Sequence, residues 1–102
     1  MYTQSTQGLN GAQAVPQRID DLDFDQYNES EMAAHGVTVR EVLQVLDRGF
    51  RIKRNKAASS TPYLMVGRSY GGRWLTIPIA PTNLPGVWRP ATAFPSRPND
   101  KV

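Results

Sequence analysis

Along residues 38–48 the apolar side chains Val39, Val42, Leu43 and Leu46 recur at i, i+3, i+4 and i+7, the spacing of one face of an α-helix. Thr38 and Glu41 stand three apart at its start, as a capping box requires, and Gly49 supplies a residue free to leave the helical conformation at its end. A helix over 38–48 follows, with Arg40, Glu41, Gln44, Asp47 and Arg48 on its other faces. The preceding stretch, DQYNESEMAAHG, predicts a shorter helix at about 26–35, capped by Asp25, acidic in its early turns and closed by Gly36 in a left-handed conformation.

After Gly49 the period falls to two. FRIKRN at 50–55 alternates apolar and basic side chains, the segments 62–70, 73–80 and 87–94 are rich in β-formers, and Pro85-Gly86 marks a turn before the last. Pro78 and Pro90 have no amide hydrogen to give to a ladder, so each is expected at an edge, a bulge or an outward-facing position. Helices followed by strands imply an α+β domain, with two short N-terminal helices packed on one face of a roughly four-stranded antiparallel sheet. Its expected core comprises Val39, Val42, Leu43, Leu46, Leu64, Val66, Leu75, Ile77 and Ile79.

A chain of 102 residues and 11.4 kDa builds one such core and not two. The single domain is placed at 19–94. Residues 1–18, rich in Gln, Gly, Thr and Ala and without apolar periodicity, are expected to form a flexible tail, and 95–102, with Pro95 and Pro98 three apart, a loose one. No apolar run approaches the roughly 20 residues of a membrane-spanning helix. The start of the chain lacks the basic and apolar regions of a secretory signal, so a cytoplasmic location and no membrane partner are expected. The sequence has no cysteine, which excludes disulfides, zinc-thiolate sites and thiol nucleophiles. Its one histidine, His35, leaves a His-rich metal site or a Ser-His-Asp triad hard to build, and neither a metal nor a cofactor is expected.

The net charge is only +3, but it is unevenly spread. Residues 1–47 hold two basic groups against eight acidic ones, and residues 48–102 hold ten basic groups against one acid, Asp100. An acidic front and a basic rear suit a rear that holds a polyanion; they equally suit a two-sided domain that neutralises itself.

Three sets of residues carry candidate chemistry. Around Gly71-Gly72, a two-residue turn would set Tyr70 opposite Arg73, Arg68 opposite Leu75, Val66 opposite Ile77 and Leu64 opposite Ile79, so that an apolar face ends in Arg68, Tyr70 and Arg73; a four-residue loop would keep Arg68 in place and free Tyr70. Such arginines at strand ends either form a functional cluster or reach water and the acidic first helix. The second set is Arg48, Arg51, Lys53, Arg54 and Lys56, with Arg51 and Lys53 on one face of the first strand and Ile52 on the other. That is a stripe fit for phosphate contacts, or a charged edge that protects against aggregation, and Trp74, Trp88, Tyr63 and Tyr70 offer stacking surfaces. His35, just before Gly36, is placed either to cap a helix or to move a proton. The acids Asp20, Asp21, Asp23, Asp25, Glu29 and Glu31 match no cation-binding loop, and Gly67, Gly71 and Gly72 make no phosphate loop.

In order and spacing, AAHGVTVREVLQVL, YLMVGRSYGGRWLTIPI and VWRPATAF, within residues 24–94, resemble the BrnT-like toxins of bacterial toxin-antitoxin pairs, which belong to the wider RelE-like ribonucleases. The matching positions are His35 and Gly36, Glu41, Gly67, Arg68 and Ser69, and Arg89 with Thr92; the chain departs from the pattern after Arg89, where Pro90 interrupts the strand and Phe94 stands in place of an arginine. The resemblance implies a metal-independent endoribonuclease that cleaves RNA and is neutralised by a small DNA-binding antitoxin. In that reading Arg68, Arg73 and Arg89 stabilise charge on the phosphoryl oxygens and His35 acts as acid or base, with Arg51, Lys53, Arg54, Lys56, Tyr70 and Trp88 as RNA contacts. Arg68 and Arg89 are then expected to converge on one phosphate, with His35 close by. The alternative is a non-catalytic binding or regulatory module whose basic sheet holds nucleic acid or an acidic protein partner.

Overall fold

The computed structural model describes residues 18–97; the expected N-terminal tail up to residue 17 and residues 98–102 of the expected C-terminal tail lie outside the described residues. The fold is α+β, in the order β1 (Asp21–Leu22), α1 (Gln26–Ala34), α2 (Val39–Arg48), β2 (Phe50–Arg54), β3 (Tyr63–Arg68), β4 (Trp74–Pro81), β5 (Val87–Pro90) and β6 (Phe94–Pro95). Both helices start as their sequences dictate. Asp25 and Thr38 are N-caps, each accepting from the N3 amide, and Asn28 and Glu41 return the bond to the cap amide. Gly36 and Gly49 follow the helices with φ of 73° and 121°, conformations that favour glycine.

The sheet has six strands and not four. β1, β5, β4, β3 and β2 lie side by side, β6 also pairs with β4, and β1 runs parallel to β5 while every other pair is antiparallel. The two added strands are two residues each, too short to show a period in sequence. Pro95 is therefore paired, Ser96 donates its amide to the Trp74 carbonyl at 3.0 Å, and Arg97 stacks on Phe94, so the ordered domain runs past 94.

The hairpin joining β3 and β4 decides which side chains reach the core. Ser69 pairs with Arg73, and Tyr70, Gly71 and Gly72 form a three-residue loop in which the Gly72 amide returns to the Ser69 carbonyl and Gly72 takes a φ of 88°. Neither a two-residue turn nor a four-residue loop forms. Arg68 thus faces Trp74, Gly67 faces Leu75, Met65 faces Ile77 and Tyr63 faces Ile79, one residue away from the expected pairing. A one-residue slip exchanges faces. Met65, Leu75, Ile77 and Ile79 are fully buried with Met32, Val42 and Val45 of the helices, whereas Leu64, Val66 and Arg68 lie on the opposite face, where Val66 is buried as expected and Arg68 is exposed.

Helix α2 is also rotated from its expected position. Val45 and Val42 are fully buried, while Leu43 is 42% exposed. The cause is Gly67: a Cβ there would meet Val45 Cγ1, so its absence lets that helical turn press on the strand. Helix α1 runs along the β5 and β6 edge of the sheet, tied at one end by Asp25 to Arg89 and at the other by His35 against Phe94, with Met32 inserted in the core. Among the described residues no helix is long and apolar enough to cross a membrane.

Candidate nucleic-acid interface

Both helices contribute buried side chains to one core, and among the described residues the other face of the sheet is met by a helix at its margin, where the two ends of α1 reach Arg89, opposite Ala80, and Phe94, opposite Thr76. Strand register places Arg51 and Lys53 of β2, Leu64, Val66 and Arg68 of β3, Trp74, Thr76 and Pro78 of β4, and Phe94 of β6 on that face. The alternation expected for β2 is realised: Ile52 packs against the core while Arg51 and Lys53 pair with Val66 and Leu64 on the opposite face. Two grooves open here. One of about 260 Å³ is lined by Arg48, Arg51, Arg68 and Trp74 among others, and one of about 700 Å³ by Lys53, Arg54, Lys56, Thr92, Phe94 and Arg97 among others. Seven Lys and Arg residues line the pair, and among the described residues no carboxylate does.

Two aromatic rings sit among these cations, each beneath a guanidinium. Arg68 lies over Trp74 at 5.4 Å from the ring centroid and Arg97 over Phe94 at 5.0 Å. Phe94 reaches this face because the chain carries one extra residue between Pro90, opposite Ile79, and Phe94, opposite Thr76. Ala93 is consequently buried in the core and Phe94 turned outward. Thr92, at this bulge, has a buried hydroxyl with no hydrogen-bond partner among the described residues.

The residues expected to be catalytic do not assemble. Arg68 pairs across from Trp74 and Arg89 from Ala80, six residues further along β4, which is about 20 Å at roughly 3.3 Å per residue. Arg89 is held by Asp25 at 2.6 Å, and the convergence on one phosphate expected for Arg68 and Arg89 is absent. Arg73 points the other way: its Nη1 donates to the Gly36 carbonyl at 2.9 Å and to both Glu41 carboxylate oxygens, stitching the hairpin to the junction of the two helices. His35 ends α1 with its ring edge against Phe94, 5.9 Å between centroids, so it stands at the margin of the larger groove near Arg97 and apart from Arg89.

Of the expected RNA contacts, Arg51, Lys53, Arg54 and Lys56 line the grooves, and two aromatics do not. Tyr70 gives its hydroxyl hydrogen to Asp47 at 2.5 Å and its amide to Gln44, on the helix side. That bond holds the phenol above its ordinary pKa, because ionisation would set two anions together. Trp88 pairs with Pro81 on the core face, packs edge-on to Tyr63 and donates its indole hydrogen to the Arg18 carbonyl. Sequence reasoning misses Arg97, which lies in the expected loose tail, and the outward turn of Phe94; a bulge leaves no periodic signal. Among the described residues no group of three or more His, Asp or Glu side chains is arranged to hold a metal ion. Compared with protein-family models, curated proteins and solved structures, the chain matches none of them.

Proposed function

We propose that the protein binds single-stranded RNA on the face of its sheet that carries the two grooves. The observation that carries this reading is the lining of the two grooves, seven cations and, among the described residues, no carboxylate, around Trp74 and Phe94. Phosphates supply the countercharge for the cations and unpaired bases supply flat apolar surface for the rings. An acidic protein partner satisfies the first need and not the second. Fluorescence anisotropy with labelled single-stranded RNA tests it: binding is expected for the native chain and is expected to weaken sharply when Arg51 and Lys53 are both replaced by Glu. RNA affinity untouched by that double change removes this face as the site.

A second reading, metal-independent RNA cleavage under the control of a small DNA-binding antitoxin, draws support from one contact. The imidazole of His35 and the guanidinium of Arg97 both touch the Phe94 ring at the end of the larger groove, which brings an acid-base group and a phosphate-stabilising cation together there. Incubation of the purified chain with mixed RNA and a chelator distinguishes the two: products lost on His35→Ala support cleavage, and RNA bound but intact supports the binding module.

A further inference from the structure

The two guanidinium-capped rings are neighbours. The Trp74 carbonyl accepts from the Ser96 amide and Thr76 pairs with Phe94, so Trp74 and Phe94 lie diagonally across adjacent strands on the same face. Residues so related stand about 7–8 Å apart, wider than the ~3.4 Å step between bases in a stacked strand. Two rings at that separation do not fit between consecutive stacked bases; they fit bases that have come apart from one another, each with a ring of its own. A duplex keeps its base faces inside the stack and offers none.

Resting on the RNA-binding reading above, we propose that Trp74 and Phe94 form a platform for two successive unstacked bases, with Arg68 and Arg97 lying on the rings in the free protein and moving off them to the flanking phosphates when the bases arrive. A guanidinium over a ring keeps the apolar surface covered until a base replaces it, and the displaced cation then remains within reach of the backbone that carries the base. Arg51 and Lys53, on β2 beyond β3 on the same face, extend the cationic track away from the rings.

Three probes decide this on the full chain: a twelve-residue oligouridine, an abasic ribose-phosphate oligomer of equal length, and inorganic polyphosphate. The native protein is expected to hold oligouridine about 25-fold or more tighter than the abasic oligomer, roughly fivefold or more for each stacked base. Trp74→Leu and Phe94→Leu should each weaken oligouridine binding by roughly 5- to 150-fold and leave polyphosphate binding unaltered. Should either variant fail to fold, the comparison of the two oligomers on the native chain still stands. Equal affinity for oligouridine and the abasic oligomer overturns the platform while leaving the basic face intact as a polyanion site. Failure to bind any of the three probes overturns the RNA-binding reading itself.

Discussion

A Cβ at residue 67 would lie 2.8 Å from Val45 Cγ1 and 2.8 Å from the Gly49 carbonyl oxygen, so Gly67 and Val45 set how closely α2 approaches the sheet. One of these neighbours is backbone and cannot step aside. Gly67→Ala is therefore expected to cost about 1–3 kcal/mol of stability, as overpacking does, measured by urea unfolding with an unchanged slope. A variant as stable as the native protein would show that α2 lifts freely.

The rotation of α2 predicts a contrast between two apolar truncations. Ile77 is fully buried and Ile77→Ala should cost roughly 2–5 kcal/mol, whereas Leu43, 42% exposed, should cost within about 0.5 kcal/mol when changed to Ala. Equal losses would mean that Leu43 is covered in solution.

Arg73 serves the fold through Gly36 and Glu41, both on the helix side. Arg73→Ala should lower stability by about 1 kcal/mol, discounted because both side chains are partly exposed, with little change in RNA affinity. The reverse outcome, intact stability and lost RNA binding, would return Arg73 to the interface.

Binding through the basic grooves should weaken with salt by roughly 0.7 log units per log unit of salt for each phosphate neutralised on a single strand. Changing Lys53 and Arg54 to Glu should flatten that slope, because both line the larger groove. An unchanged slope places the phosphates elsewhere.

Acid sensitivity should centre on Asp25. Its carboxylate accepts from the Asn28 amide and pairs with Arg89, and the amide bond first, the guanidinium second, holds its pKa below the ordinary carboxylate value despite an opposing effect of partial desolvation. A carboxylate with a lowered folded-state pKa contributes stability that is complete above its unfolded pKa of about 4 and is lost as pH falls through the folded value. Thermal unfolding between neutral pH and pH 3 should show this loss, and Asp25→Asn should reduce it while keeping a cap on α1. An identical acid profile for the variant would assign the loss to other carboxylates.

Both helices and the four longer strands were legible because each rests on a local signal: the capping pairs at Asp25 and Thr38, the glycines at 36 and 49, the alternation of Phe50 to Arg54. What escaped depended on counts of one. A three-residue loop in place of two residues moved Arg68, Val66 and Leu64 to the opposite face of the sheet from Leu75, Ile77 and Ile79. Strict alternation from Pro90 would send Phe94 inward, and one bulged residue sends it outward. The charged half of the candidate interface was visible at Arg51 and Lys53 and one stacking surface at Trp74, but Arg68 joins the face of Trp74 only through the three-residue loop, and Phe94 only through the bulge.

Every Asp and Glu among the described residues lies between 20 and 47, on or before the helices, while the cations of the grooves lie between 48 and 97 on the opposite side of the sheet and its margins. The folded molecule is thus an electric dipole whose positive end is the face that carries the grooves. In the field of a polyanion it experiences a torque before any contact is made, at separations up to about one Debye length, roughly 8 Å at physiological ionic strength. Collisions that arrive helix-first are turned away or around, and those that arrive face-first are retained. Lower salt should therefore raise the rate of association as well as the lifetime of the complex.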